Sequence, residues 1–187
     1  FGVTITSVTV ILPQMQGALS ATQDQIAWVL TLNLVATAAI TPLTGWLAAK
    51  LGWRNLMLAS VIGFTLSSIA CGAADSFEML LAFRVIQGAF GAPIFPMGQS
   101  IILARFEKRQ HPMALMLWGV GGVMGPILGP TFGGLIADQL DWRWSFFMIA
   151  PLGMLACIPV MFSLGSEEKG TARRFDFIGF LCIAIAI

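Results

Sequence analysis

Arg84 and Gln87 are the residues best placed to do chemistry inside an apolar run: a guanidinium and a carboxamide three residues apart, on one helical face with Gly88 and Gly91. A guanidinium stays protonated at any physiological pH, so Arg84 cannot itself carry a proton. It can repel a cation or lower the pKa of an acid brought near it. An arginine in such a run costs several kcal/mol unless it faces protein or a water-filled cavity. The alternative is snorkelling: at about 1.5 Å per residue from Phe77, Arg84 lies only about 10 Å from one end of its run. Both options stand on the sequence alone.

A second polar set, Asn33, Thr37, Thr41 and Thr44, follows helical spacing in an earlier apolar run. In a membrane such residues either line a substrate path or hydrogen-bond one helix to another, and the second role is the commoner. Other chemistry is scarce. His111 is the only histidine and sits in a basic loop, so neither catalysis nor metal binding is expected of it. The three cysteines, Cys71, Cys157 and Cys182, all fall inside apolar stretches and read as small core residues. No enzyme activity, metal, cofactor or nucleic-acid partner is expected.

The elements that must position these residues are membrane spans. The chain is 57% hydrophobic and only 10% charged, outside the range of a soluble domain. Apolar runs of about 20 residues, the length that crosses a bilayer, occur near 25–49, 55–74, 77–104, 113–137 and 143–164. A shorter run opens the chain and another closes it. The expected organisation is a six-span bundle over 1–164, a cytoplasmic loop over 165–175 and the start of a seventh span over 176–187. Both ends lie within apolar runs, so a longer protein is expected, and no cleavable signal peptide is visible.

Basic residues orient the spans. Lys50 and Arg54 follow the second span, Arg105, Lys108 and Arg109 the fourth, and Lys169, Arg173 and Arg174 the sixth. The alternate loops carry Asp24, Asp75, Glu78, Asp138 and Asp141, with Arg143 as their only base. The first set of loops is expected in the cytoplasm, with the chain entering its first span from that side.

Two stretches 89 residues apart, "GWLAAKLGWRN" (45–55) and "GLIADQLDWRW" (134–144), share Gly, Ala, Leu, Trp and Arg at matching places. Three spans separate them, so the second copy is upside down in the membrane, an arrangement typical of transporters. The second copy opens at the end of a glycine-rich span. There Gly121, Gly125, Gly129 and Gly133 recur every fourth residue, beside a row of Gly122, Pro126, Pro130 and Gly134. Bare backbone on one side lets a neighbouring helix approach closely. Each proline removes a donor, so the middle of this span is expected to be bent and locally unpaired.

These residues resemble a known family. "GVMGPILGPTFGG" (122–134) is similar to the antiporter motif in the fifth span of major facilitator superfamily drug exporters, and its second Gly-Pro resembles the version in fourteen-span drug:proton antiporters of the EmrB/QacA type. "GWLAAKLGWRN" resembles the loop motif between spans two and three, with Gly45, Lys50, Gly52 and Arg54 in place. "RVIQGAFGAP" (84–93) resembles the fourth-span motif, and "DWRWSFFMIAPLG" (141–153) the entry to span six. The fold class so implied is an all-α membrane protein: the N-terminal six-helix bundle of the major facilitator fold, two inverted three-helix repeats. "RRFDFIGF" looks like the junction at which fourteen-span members begin their two extra helices.

The resemblance implies proton-coupled efflux of amphipathic drugs or other small organic compounds by alternating access, from a multi-pass protein of the bacterial inner membrane. A periplasmic adaptor and an outer-membrane channel are further partners it admits. It places Arg84 on the central cavity with a part in proton coupling. It also makes Thr6, Thr9, Asn33 and Thr37 the candidate substrate path. A non-transporting sensor or assembly partner on the same fold, and a proton-coupled importer, are the rival readings.

This chain departs from the pattern in two places. Ala49 stands where the loop motif usually has aspartate, with Asn55 in place of a base. Thr4 occupies the place of the first-span acid. No carboxylate in the first six spans lies at membrane depth, so the proton-binding acid is expected beyond Ile187, facing this half across the cavity. The charge assignment predicts that single cysteines at Glu107 and Glu168 react with impermeant reagents only from the cytoplasm, and one at Asp138 only from outside. Labelling from the opposite faces reverses the orientation.

Overall fold

The computed structural model describes residues 2 to 163, and the expected loop over 165–175 and seventh span over 176–187 lie outside the described residues. Helices follow one another through short turns: α1 Gly2–Ala18, α2 Gln23–Ile40, a 3-10 turn Thr41–Leu43, α3 Thr44–Leu51, α4 Trp53–Gly72, α5 Phe77–Gly91, α6 Ile94–Arg105, α7 His111–Gln139, α8 Trp144–Phe147 and α9 Ile149–Ser163. Among the described residues four stretches are long and apolar enough to cross a bilayer: Gln23–Leu51, Trp53–Gly72, Phe77–Arg105 and His111–Gln139. The first span, α1, has 17 residues, and the apolar stretch Trp144–Ile158 in the sixth is also shorter.

Local chemistry sets the ends. Thr22 caps α2 in a reciprocal box with Gln25, its hydroxyl accepting from the Gln25 N–H at 3.3 Å and its own N–H donating to Gln25 Oε1 at 2.9 Å. Ser76 caps α5 by accepting from the Met79 N–H at 3.2 Å. Gly52 turns the chain between α3 and α4 at a φ of 83°, a conformation that favours glycine. Two spans that read as continuous apolar runs are interrupted. The second passes through Thr41–Leu43 as a 3-10 turn, and the fourth changes helix at Ala92 and Pro93. Pro42 and Pro93 have no N–H to continue the helical ladder at these points, though the backbone keeps right-handed helical angles at Thr41, Ala92 and Pro93.

Part of the packing follows an inverted repeat. Taking α1, α2–α3 and α4 as one triplet and α5–α6, α7 and α8–α9 as the other, exchanging the triplets turns the α1–α7 contact into the α2–α5 contact. The α4–α9 contact maps onto itself. Two hydrogen bonds obey the same exchange. Arg54 Nη2 donates to the Met161 carbonyl at 3.3 Å and Arg143 Nη1 to the Gly72 carbonyl at 3.1 Å, with 54 and 143, and 72 and 161, each 89 apart. The offset read from the two "WR" stretches is therefore the structural one.

The main apolar cluster gathers Val8, Ile11, Met15, Ile26, Val29, Leu80, Trp142 and Phe146 towards the end of the bundle that carries the acidic loops. A smaller one, Ala48, Leu56, Met57 and Met97, lies at the basic end. The glycine row of α7 presses on α1. A Cβ at Gly125 would stand 3.2 Å from the Val3 nitrogen, one at Gly129 2.8 Å from the Val3 carbonyl oxygen, and one at Gly133 2.9 Å from Ser7 Cα. Gly121 meets open space. Of the second row, Gly122 faces the Phe95 ring and Gly134 the Val10 side chain. α7 stays helical through Pro126 and Pro130, so the expected unpairing stops short of a break.

These contacts predict that Gly129→Ala and Gly133→Ala each destabilise the protein by about 1–3 kcal/mol through overpacking. Gly121→Ala should be neutral or slightly stabilising, because alanine is the better helix former. Thermal unfolding of the three variants in detergent checks this. Equal shifts at all three positions would contradict a close-packed α1–α7 face.

Candidate functional site

Arg84 is fully buried, at 0% exposure, in the contact between α5, α2 and α4. Its Nε donates to the Val29 carbonyl at 2.9 Å and its Nη1 to Gln87 Oε1 at 2.5 Å. The Gln87 amide then donates to Ser68 Oγ at 2.6 Å, and Ser68 to the Phe64 carbonyl of its own helix at 2.7 Å. The Phe146 ring lies 5.9 Å from the guanidinium carbon, within the range of a cation–π contact. Arg84 Nη2 is buried and has no hydrogen-bond partner among the described residues. Helical spacing thus paired Arg84 with Gln87 correctly, and snorkelling is set aside: the head group turns into the bundle.

Asn33 and Thr37 belong to the same assembly. Asn33 Nδ2 donates to the Arg84 carbonyl at 2.9 Å, and Thr37 Oγ1 to the Asn33 carbonyl at 2.8 Å and the Gly88 carbonyl at 3.1 Å. Gly88 makes this possible, since a methyl group there would collide with the Asn33 carbonyl oxygen. Asn33, proposed for a substrate path, is 1% exposed and sits inside the α2–α5 contact. On α1, Thr6 is half-buried and Thr9 exposed, each hydroxyl bonded within its own helix. Thr4, at the place of the family's first-span acid, is buried with its hydroxyl unpartnered.

The remaining motif residues fall into separate places. Gly129 and Gly133 meet α1, where Ser7 Oγ donates to the Gly129 carbonyl at 2.7 Å. Lys50 lies over the Trp46 ring at 4.9 Å and Gly45 is open. Where the family's aspartate is missing, Arg54 caps the Met161 carbonyl instead. Sequence reasoning missed Ser68, the Val29 carbonyl and Phe146. Ser67 and Ser68, polar neighbours in an apolar run, were a visible signal. A backbone carbonyl leaves none.

A family model, the Major Facilitator Superfamily, matches residues 1–180. The chain belongs to the Major Facilitator Superfamily. Among curated relatives it is 38% identical over 183 residues to the multidrug export protein EmrB of Escherichia coli (strain K12), and 34% identical over 183 residues to the fatty acid resistance protein FarB of Neisseria gonorrhoeae. Each match covers 97% of this chain and 36% of the relative, so the chain spans about a third of their length. Solved structures agree on the fold. A peptide transporter POT with bound sulfate matches at a TM-score of 0.73 and 15% identity, over 93% of this chain and 36% of that one. The human organic anion transporter MFSD10 matches at 0.67 and 20%, over 97% and 50%.

This membership sharpens the account of Arg84. Among the described residues its head group is held by the Val29 carbonyl and Gln87. A group outside these residues can touch only surface left exposed, and Arg84 leaves none. The network predicts that Ser68→Ala, which strips Gln87 of its acceptor, lowers stability by about 1 kcal/mol. Ser67, whose hydroxyl bonds only carbonyls of its own helix, should tolerate alanine. Equal thermal shifts for the two variants would show that Ser68 has no cross-helix role.

Proposed function

We propose that the chain is the N-terminal six-span half of a proton-coupled exporter of amphipathic organic compounds in the bacterial inner membrane, with its N-terminus in the cytoplasm. The observation that carries this reading is the 38% identity, across nearly the whole chain, to a protein named for multidrug export. The double Gly-Pro row supports it from within the chain, because its glycines hold the first span against the fifth. Export by alternating access moves this half against a second half around the binding site, and the α1–α7 contact keeps the first span with the fifth as it does so.

In this reading Arg84 and Gln87 fix the shape and the electrostatics of the half, and the glycine row fixes the place of α1. Of the proposed path residues, Thr9 opens outward on α1 and is the best placed to meet a transported compound. The acids of the described residues, Asp24, Asp75, Glu78, Glu107, Asp138 and Asp141, are all exposed at helix ends or in loops. The proton therefore binds on a carboxylate elsewhere in the protein and senses Arg84 through the field of its charge, not by contact. A periplasmic adaptor and an outer-membrane channel would complete the route across a two-membrane envelope.

Everted vesicles containing the full-length protein test the proposal. Addition of hydrophobic weak acids, fatty acids or cationic dyes to vesicles with an acidified lumen should release protons. Arg84→Met keeps the apolar volume but leaves the Val29 carbonyl and the Gln87 amide oxygen without their donor; with folding of the variant verified by thermal unfolding, it should lose most of that proton release. Folded wild-type protein that moves no protons with any of the three classes would refute the proposal.

A further inference from the structure

The two arginine caps are equivalent by the internal repeat but unequal in what they hold. At the acidic end, Arg143 reaches three things: the Gly72 carbonyl at 3.1 Å, Asp75 Oδ1 at 3.5 Å and the ring of Trp142 at 5.1 Å. Trp142 is itself buried in the main apolar cluster. A Cβ on Gly72 would stand 3.1 Å from the Arg143 carbonyl oxygen and 2.8 Å from the Phe147 ring, so the two backbones are in close contact there. Asp75 is largely exposed, and the ion pair by itself adds little. The weight of this clasp rests on the carbonyl bond, the ring and the backbone contact.

At the basic end the related residue, Arg54, makes among the described residues one bond, to the Met161 carbonyl at 3.3 Å, and its buried Nε has no partner among them. The surroundings differ in the same sense. The larger apolar cluster lies at the acidic end and the smaller at the basic end. The helix breaks at Thr41–Leu43 and Ala92–Pro93 set off α3 and α6, the basic-end segments of the second and fourth spans. Two cavities open at the basic end. One of about 310 Å³ is lined by Thr41, Thr44 and Ser100, with the Thr44 hydroxyl buried and unpartnered. Another of about 790 Å³ lies between the end of α6 and the start of α7.

We infer that the six-span half is itself asymmetric in stiffness: it pivots on the Arg143 clasp between the third and sixth spans and yields at the Arg54 clasp. The acidic end keeps one arrangement while the basic-end segments move about the two breaks. The larger apolar cluster and three-point clasp on one side, and open cavities with a single-bond clasp on the other, are the condition for such a bias. The inference concerns the motion of this half and does not depend on which compound is transported.

Pulsed electron–electron spin resonance on the full-length protein in lipid nanodiscs, with its own cysteines replaced, tests it. One pair of spin labels at Ala73 and Trp144 reads the acidic end, and a second at Asn55 and Met161 reads the basic end; all four side chains are exposed. The expected result is one narrow distance at the acidic end and a broader or two-peaked distribution at the basic end. Arg143→Ala should broaden the acidic-end distance, and Arg54→Ala should leave it unchanged. If Arg143→Ala does not fold, Arg143→Lys keeps the charge but loses the fork that reaches two acceptors, and should broaden it too. Equal widths at the two ends, a broader acidic end, or no response to either Arg143 variant would overturn the inference.

Discussion

Backbone-to-backbone approach at glycine is the constraint on which the rest of this bundle depends. Lipid tails are as apolar as leucine, so helices in a membrane gain little from burying leucine against leucine and must gain from contact itself. Gly88 lets α5 approach the Asn33 carbonyl of α2, Gly129 and Gly133 let α7 approach α1, and Gly153 lets α9 approach Thr65 of α4. Only at that separation can short polar side chains cross from one helix to the next. The bonds from Asn33 to the Arg84 carbonyl, from Thr37 to the Gly88 carbonyl and from Ser7 to the Gly129 carbonyl are the result.

The same approach determines how a permanent charge is accommodated. Arg84 is held by one carbonyl, one amide oxygen and the face of one ring, with no carboxylate bonded to it among the described residues. A cation solvated by dipoles keeps a long-range field, whereas a cation paired with an acid largely cancels its own. Such a residue can bias where a proton or a charged compound resides without touching either.

Much of this was legible in the sequence. Span positions follow from apolar runs, and the common end of the acidic loops from charge placement; the bonds from Gln14 to Asp138 and from Arg143 to Asp75 bear out the latter. The repeat was visible in "WR" because the arginines cap equivalent carbonyls. The glycine row of α7 announced a close neighbour, though not that the neighbour is α1. The rest depended on register between helices distant in the chain. Asn33 and Thr37 have the types and spacing of a path lining, and only the position of Arg84 and Gly88 one helix away turns them into a fastening. Pro42 and Pro93 lie inside apolar runs long enough to read as unbroken spans, so hydropathy concealed two interruptions.

The central claim is that the charge of Arg84 is contained within this half by carbonyls, an amide and an aromatic face. A structure of the full-length protein in a lipid bilayer mimetic, at a resolution that places side chains, tests it most directly. The account predicts the guanidinium on the Val29 carbonyl and Gln87, closed off by α2 and α4, with no carboxylate oxygen within about 4 Å. An aspartate or glutamate from another part of the protein bonded to Arg84 would contradict it.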